Sequence, residues 1–130
     1  NGIEYGMMQS IGEGFEVIKK SSFSPNLLSV AQVYNHGSVI TSNLVGWLVG
    51  AYKKFGDELD SRECCSGKVS HSGEGQWTVD AAHELGVPAS IIKGALDFRK
   101  KSQKNPSYTG KVVSALRHEF GGHEVKPIKK

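Results

Sequence analysis

The pattern of apolar and polar positions along the chain predicts α-helices. In residues 1–20 the apolar side chains are spaced four, four, four and three residues apart, which places them on one side of a helix; they are Ile3, Met7, Ile11, Phe15 and Ile18. We expect this side to pack in the core. The strongest helical period runs from Ile40 to Phe55 and predicts a central core helix that begins near Ser38.

Glycine, proline and polar stretches divide the rest of the chain into further helices. Residues 21–25 form a break whose proline suits the start of a second, short helix, and Gly37 ends that helix. A polar loop of about twenty residues covers 57–76. Apolar periods then predict helices over 77–85, 88–98 and 111–120. Because no strand pattern occurs, we expect an all-α fold of about six helices, with residues 1–130 as one domain.

The composition narrows the class of protein. Sixteen Lys and Arg against thirteen Asp and Glu leave a net charge of +3 without a basic stripe, so we expect no nucleic-acid partner. No apolar run approaches the roughly 18 to 20 residues of a membrane span, and we expect no membrane contact. The two cysteines, Cys64 and Cys65, are adjacent and suit neither a disulfide framework nor a zinc site, which favours a reducing, cytoplasmic setting.

A polar cluster at the start of the first helix is the first candidate for chemistry. Asn1, Glu4 and Tyr5 lie together on one face, near the helix end where free N–H groups favour an anion. Glycines interrupt the same helix, and each costs roughly 1 kcal/mol against alanine, so a ligand or a neighbouring backbone is expected to come close there. A glutamate in a first turn is more often a simple compensation of the helix dipole.

Three further candidates lie in the second half of the chain. Arg99 heads a basic run, which in most proteins is a solvated face. Arg117 and His123 flank a Phe-Gly-Gly turn, where a histidine is more often a surface or capping residue than a catalytic one. The histidines have no mutual spacing suited to a metal, and we therefore expect no metal site.

Four separated motifs, in order, resemble those of 6-phosphogluconate dehydrogenases. They are N-G-I-E-Y-G-M-M-Q, G-E-G-Q-W-T, E-L-G-V-P and A-L-R-H-E-F-G-G-H. In that family the run K-x-x-H-N-G-I-E-Y begins the long helix of the C-terminal domain. The resemblance implies the all-helical C-terminal domain of a compact bacterial member of the 3-hydroxyacid dehydrogenase superfamily. The catalytic lysine and an N-terminal Rossmann domain that binds NADP or NAD would then lie outside this chain.

The resemblance also implies roles at the start of the first helix. Glu4 resembles the general acid that protonates the enediol left after decarboxylation, a task that needs a carboxyl group protonated near neutral pH. Asn1 is similar to the asparagine that holds a substrate hydroxyl and orients the cofactor against the sugar acid. The reaction implied is the oxidative decarboxylation of 6-phosphogluconate to ribulose 5-phosphate, in the pentose phosphate pathway and gluconate utilisation.

The remaining candidates would bind the substrate. Tyr5 resembles the tyrosine that contacts the substrate phosphate, and Arg99 falls where the family places a phosphate-binding arginine. Arg117 and His123 look like the pair that reaches into the partner subunit's site, which implies a homodimer or higher homo-oligomer with shared active sites. A guanidinium suits this role because its forked donors grip phosphate oxygens at two points.

One departure from the family pattern bears on the substrate. Ser72 and Glu74 stand where longer family members place lysine and threonine near the substrate, an exchange that removes a positive charge. Two alternatives therefore stay open beside 6-phosphogluconate. One is a related 3-hydroxyacid dehydrogenase with a different substrate, and the other is a non-catalytic helical oligomerisation module.

Overall fold

The computed structural model describes residues 1–60 and 66–121, and these ranges contain six α-helices and no strand. The helices are α1 (Gly2–Lys20), α2 (Leu27–Tyr34), α3 (Asn43–Phe55), α4 (Glu74–Glu84), α5 (Ser90–Ser102) and α6 (Tyr108–Gly121). The predicted all-α class is confirmed. No helix in these ranges is long and apolar enough to cross a membrane.

Several helix boundaries differ from the prediction, including the end of α5, which extends to Ser102. The helix expected to begin near Ser38 begins at Asn43, because the Ser42 hydroxyl accepts the Val45 N–H at 3.3 Å and caps it there. Helix α4 begins at Glu74, three residues earlier than expected, and α6 begins three residues earlier at Tyr108. Both helix starts were missed because the residues there are mostly polar and show no apolar period.

Helix α1 occupies the centre of the arrangement and contacts α6, α5 and α4, while α3 packs between α2 and α6. Most buried apolar side chains form one cluster that joins these helices, including Met8, Phe15, Leu48, Val112 and Leu116. This burial is the main source of stability, since helices of this length are marginal in isolation. The cluster fixes α1 relative to α5 and α6, and therefore fixes any site built at the start of α1.

The buried face of α1 is not the one that the apolar spacing predicted. Phe15 is buried as expected, but Ile3 is 75% exposed and Met7 is 45% exposed. The face that packs in the core contains Tyr5, Met8, Gln9, Gly12 and Phe15. The prediction was wrong for Ile3 and Met7 because glycine and polar positions, which carry no apolar signal, supply part of the true contact face.

The exposed apolar side chains of α1 form one wall of a groove of about 680 Å³. Ile3, Met7 and Ile11 lie on this wall, and Ile40 and Ile91 contribute to the other side. Nearly all of the groove surface is apolar. We call this surface the α1 groove.

Candidate functional site

The first turns of α1 and α4 come together because two glycines leave room for neighbouring side chains. A Cβ atom on Gly2 would lie 2.4 Å from Cγ2 of Thr78, and a Cβ atom on Gly75 would lie 2.2 Å from the ring of Tyr5. Both distances are shorter than any real contact between these atoms, so each position requires glycine at this spacing. The close crossing brings the polar start of α1 against the glycine-rich loop that precedes α4.

A small polar pocket of about 50 Å³ lies at this crossing. Five of the six predicted site residues line it: Asn1, Glu4, Tyr5, Arg99 and Arg117. Asn1 directly precedes α1, and the others belong to α1, α5 and α6. The sixth, His123, lies outside the described residues, as do Cys64 and Cys65.

Arg99 reaches the pocket from α5 and is only 2% exposed. Its guanidinium carbon lies 3.4 Å from the centroid of the Tyr5 ring, a close cation–π contact. Its Nη2 atom lies 3.8 Å from the sulfur of Met8. Burial, together with the charge of Arg117, lowers the pKa of Arg99 to about 10, so the side chain remains a cation at neutral pH.

Arg117 reaches the same pocket from α6 and is 8% exposed. Its Nη1 atom donates a hydrogen bond to the hydroxyl of Ser70 at 2.8 Å, and burial lowers its pKa. The resemblance places this arginine in a partner subunit's site. Here one chain brings Arg117 to the pocket that its own Glu4 and Tyr5 line.

Neither arginine forms an ion pair with a carboxylate among residues 1–60 and 66–121. A buried cation without a paired anion is costly, and two neighbouring cations also repel each other. The hydroxyl of Tyr5 is buried beside them, and no hydrogen bond of ordinary geometry satisfies it within the described residues. Two forked guanidinium groups and a free hydroxyl are the groups that bind a phosphate or another oxyanion.

The carboxyl group of Glu4 lines the opposite part of the pocket from the first turn of α1, where the side chain is half-buried. Its charge acts on both arginines, since it opposes the lowering of their pKa values by burial. Asn1 is exposed at the rim. An anionic ligand held by the arginines would therefore lie next to a carboxyl group that can exchange a proton with it.

Two pocket residues come from the loop before α4 and its first turn. Ser72 and Glu74 both line the pocket, and the hydroxyl of Ser72 donates a hydrogen bond to the Glu74 carboxylate. These are the positions at which the sequence departs from the longer family members. The departure therefore falls inside the pocket, next to the arginines.

Sequence reasoning missed two contributors to this site. Ser70 lies in the polar loop and positions Arg117, and Phe120 forms part of the pocket wall from the end of α6. The only signal for Ser70 was the length of a polar loop inside a small domain. Phe120 was expected to point inward but is 41% exposed, and its ring lies tilted against Trp47 with the ring centroids 5.0 Å apart.

The pocket suits a phosphate-sized group and does not fit a dinucleotide. Cofactor and drug sites occupy roughly 300 to 1,000 Å³, well above the volume of about 50 Å³ found here. The parts of the chain that the structure describes contain no strand, and therefore no strand, glycine-rich turn and helix of a dinucleotide-binding unit. They also bring no three His, Cys, Asp or Glu side chains together at a spacing that could hold a metal ion.

The fold and pocket define an all-helical domain with a buried site for an anionic group. The sequence profile of the 6-phosphogluconate dehydrogenase C-terminal domain matches residues 1–118. The chain therefore belongs to this family of domains, as the four motifs predicted.

Relatives with known names agree with this assignment. The chain is 49% identical to the protein YqeC of Bacillus subtilis (strain 168) over 123 residues, which cover 95% of this chain and 40% of YqeC. It is 35% identical to the NAD(+)-dependent, decarboxylating 6-phosphogluconate dehydrogenase of Haloferax volcanii, over 96% of this chain and 41% of that protein. A Bacillus subtilis relative that is 29% identical is named as NADP(+)-dependent. The chain spans about two fifths of the length of the first two relatives.

Proposed function

We propose that this chain is the substrate-binding domain of a decarboxylating 6-phosphogluconate dehydrogenase. It acts with an N-terminal Rossmann domain that binds NAD or NADP, and the whole protein converts 6-phosphogluconate to ribulose 5-phosphate in the cytoplasm, within the pentose phosphate pathway. The family assignment supports the reaction class. The observation that carries the proposal is the pair of buried arginines, Arg99 and Arg117, which have no carboxylate partner in the described residues.

The substrate phosphate binds between the two arginines. Both guanidinium groups donate to its oxygens, and the buried hydroxyl of Tyr5 donates a further hydrogen bond, which satisfies a group that is otherwise unpaired. The phosphate replaces the missing counter-charge of two desolvated cations. His123 also contacts the phosphate, a role that is supported only by the motif resemblance.

The carboxyl end of the sugar acid then lies towards Glu4 and Asn1. Loss of carbon dioxide from the oxidised sugar acid leaves an enediol, and Glu4 gives a proton to its carbon atom. Asn1 holds a hydroxyl group of the sugar acid at the rim and touches the cofactor. The nicotinamide supplies the hydride chemistry, and it is held by the N-terminal domain.

A binding measurement on the chain itself tests the anion site. Inorganic phosphate should raise the unfolding temperature of the 130-residue chain in a concentration-dependent way, because a ligand that binds only the folded state stabilises it. Replacement of Arg117 by methionine should abolish this shift, whereas the same change at the exposed Lys101 should leave it intact. An equal phosphate shift in both variants would refute the site.

We further propose that the protein is a homodimer in which a second copy of the chain covers the α1 groove. Contiguous exposed apolar surfaces of more than a few hundred Å² mark interaction sites on soluble domains. The groove is continuous with the start of α1, where Ile3 adjoins Glu4, so a partner seated in it would border the pocket. This continuity favours a second copy over an unrelated partner, since the resemblance implies shared active sites.

A second candidate function is a related dehydrogenase whose 3-hydroxy acid substrate carries no phosphate. The observation that favours it is the carboxylate of Glu74 within the pocket that the arginines line. Turnover of 6-phosphogluconate and of unphosphorylated sugar acids by the protein with its N-terminal domain separates the two functions. Dependence on Arg99 and Arg117 should be strong only when the substrate carries the anion.

A further inference from the structure

The carboxylate of Glu74 shares a very small pocket with the two buried arginines. The pocket is about 50 Å³, and both Glu74 and Arg117 line it. Burial lowers the pKa of the Arg117 guanidinium, and the charge of Glu74 opposes this, as those of Tyr5 and Glu4 do. Glu74 therefore supplies part of the negative charge that a ligand would otherwise supply.

The backbone of Glu74 is positioned by the first turn of α4. Glu74 is in the first turn of α4 and half-buried, and it accepts a hydrogen bond from the hydroxyl of Ser72. Gly75 next to it is held against the ring of Tyr5, where a side chain would not fit. The crossing of α1 and α4 therefore keeps the backbone of Glu74 next to the pocket.

Carboxyl groups line the pocket before any ligand enters. Arg99 and Arg117 contribute two positive charges, and Glu4 and Glu74 contribute two carboxyl groups. A phosphate monoester brings close to two negative charges at neutral pH. It must therefore bind beside Glu74, where like charges repel each other.

We propose that Glu74 is a specificity-determining residue that weakens phosphate binding at Arg99 and Arg117, and thereby narrows the preference of the site for phosphorylated over unphosphorylated sugar acids. The inference rests on the proposed function, since it concerns the same anion site. The repulsion grows with the charge of the ligand, so a dianion is weakened more than a monoanion.

Binding of two simple anions to the 130-residue chain tests this role. Phosphate and acetate are titrated at about pH 8, where phosphate is mostly a dianion, into the unaltered chain, Glu74→Gln and Glu84→Gln. Glu84 is exposed at the other end of α4, roughly 15 Å along the helix and beyond the Debye length at physiological salt. It is a matched control with the same change of charge.

We expect Glu74→Gln to bind phosphate at least about fivefold more tightly than the unaltered chain, and to gain clearly less for acetate. Glu84→Gln should stay within about twofold for both. Circular dichroism of each variant in phosphate-free buffer confirms that the helices are intact.

The outcomes separate the role of Glu74 from the proposed function. If the unaltered chain binds phosphate and Glu74→Gln binds it no more tightly, the role of Glu74 is refuted and the anion site stands. Equal gains for phosphate and acetate would also refute it, because they would show an effect of space and not of charge. If neither protein binds phosphate up to about 50 mM, both the anion site and this inference fail.

Discussion

Helix α1 presents two surfaces that differ in chemistry and in what satisfies them. Its first turn contributes to a polar pocket of about 50 Å³, where two buried cations have no paired anion within the described residues. Its outer side forms the α1 groove of about 680 Å³, where large apolar side chains remain exposed. In both places the chain by itself leaves groups in an unfavourable environment.

The pocket and the groove differ in the kind of partner that would stabilise their exposed or unpaired groups. A buried guanidinium is satisfied by a small oxyanion with directional acceptors, whereas an apolar groove is satisfied by any surface of matching shape that excludes water. The pocket therefore predicts a specific ligand, and the groove predicts a macromolecular surface. Substitutions in the two places should consequently affect different measurements, and the following tests use this separation.

The largest effect is expected from Glu4→Gln in the proposed two-domain dehydrogenase. Removal of a general acid typically lowers kcat by about 10² to 10⁴-fold, while the binding of 6-phosphogluconate should change little because the arginines remain. Steady-state kinetics separates kcat from KM. The control is Glu13→Gln, an exposed position on the same helix whose side-chain oxygen can still accept the hydrogen bond from Gln9. Undiminished kcat in Glu4→Gln would exclude the catalytic role.

The next largest effect is expected from Arg99→Met, which removes a buried charge and keeps most of the side-chain volume. The KM for 6-phosphogluconate should rise about 100-fold, because a charged, bidentate contact to phosphate is lost. The free energy of unfolding should stay unchanged or rise, since an apolar side chain removes the cost of an unpaired buried cation.

The matched control for Arg99→Met is Lys101→Met on the exposed side of α5. This control should change neither KM nor stability. A large loss of stability in Arg99→Met with an unchanged KM would mean that Arg99 supports the fold through Tyr5 and does not bind the substrate.

A substitution in the α1 groove should have a smaller effect, on self-association of the chain. Ile91→Glu places a charge on the groove surface at a position that is 70% exposed, and should weaken self-association at least about tenfold. Sedimentation velocity over a range of concentrations measures the dissociation constant of self-association. Val17→Glu is the control, because Val17 is 71% exposed on α1 and does not line the groove. Equal behaviour of both variants would exclude the groove as the interface.

Much of this organisation could be predicted from the sequence, for reasons that differ between the two surfaces. Helical periods and glycine or proline breaks gave the six helices, and the motifs pointed to five of the residues that the structure places in one pocket. Spacing alone could not tell which side of α1 is buried. The apolar side chains Ile3 and Met7 have the same pattern whether they meet the core or face outward, and tertiary packing decides.

The contacts of the pocket were beyond prediction for another reason. The arrangement of Arg99 on the ring of Tyr5 and of Arg117 on Ser70 depends on long-range crossings of helices. These crossings depend on missing side chains at Gly2 and Gly75, and no local pattern reveals what a glycine faces. The sequence could therefore indicate which residues belong to the site, but not how their charges are balanced.

The smallest effect is expected at Glu16, a charged residue of α1 whose partners are all present within the chain. Burial would raise the pKa of Glu16, but hydrogen bonds from Lys20 and from the hydroxyl and N–H of Thr109 outweigh it and lower the pKa below its usual 4.5. The ionised form is therefore favoured by folding. Its contribution to stability is fully present above the unfolded pKa and is lost as the pH falls through the lowered value.

Glu16→Gln should accordingly lower the free energy of unfolding by about 1 kcal/mol at pH 7 and by less at pH 3, as measured by urea denaturation at both values. The exposed Glu13→Gln should show no such difference between the two pH values. Phosphate binding should be unaffected by either change, because Glu16 contacts α6 away from the pocket. A change in phosphate affinity in Glu16→Gln would show that the paired charges of α1 are coupled to the unpaired charges of the pocket. Charges that stabilise the fold and charges that bind a ligand could then no longer be treated as separate groups.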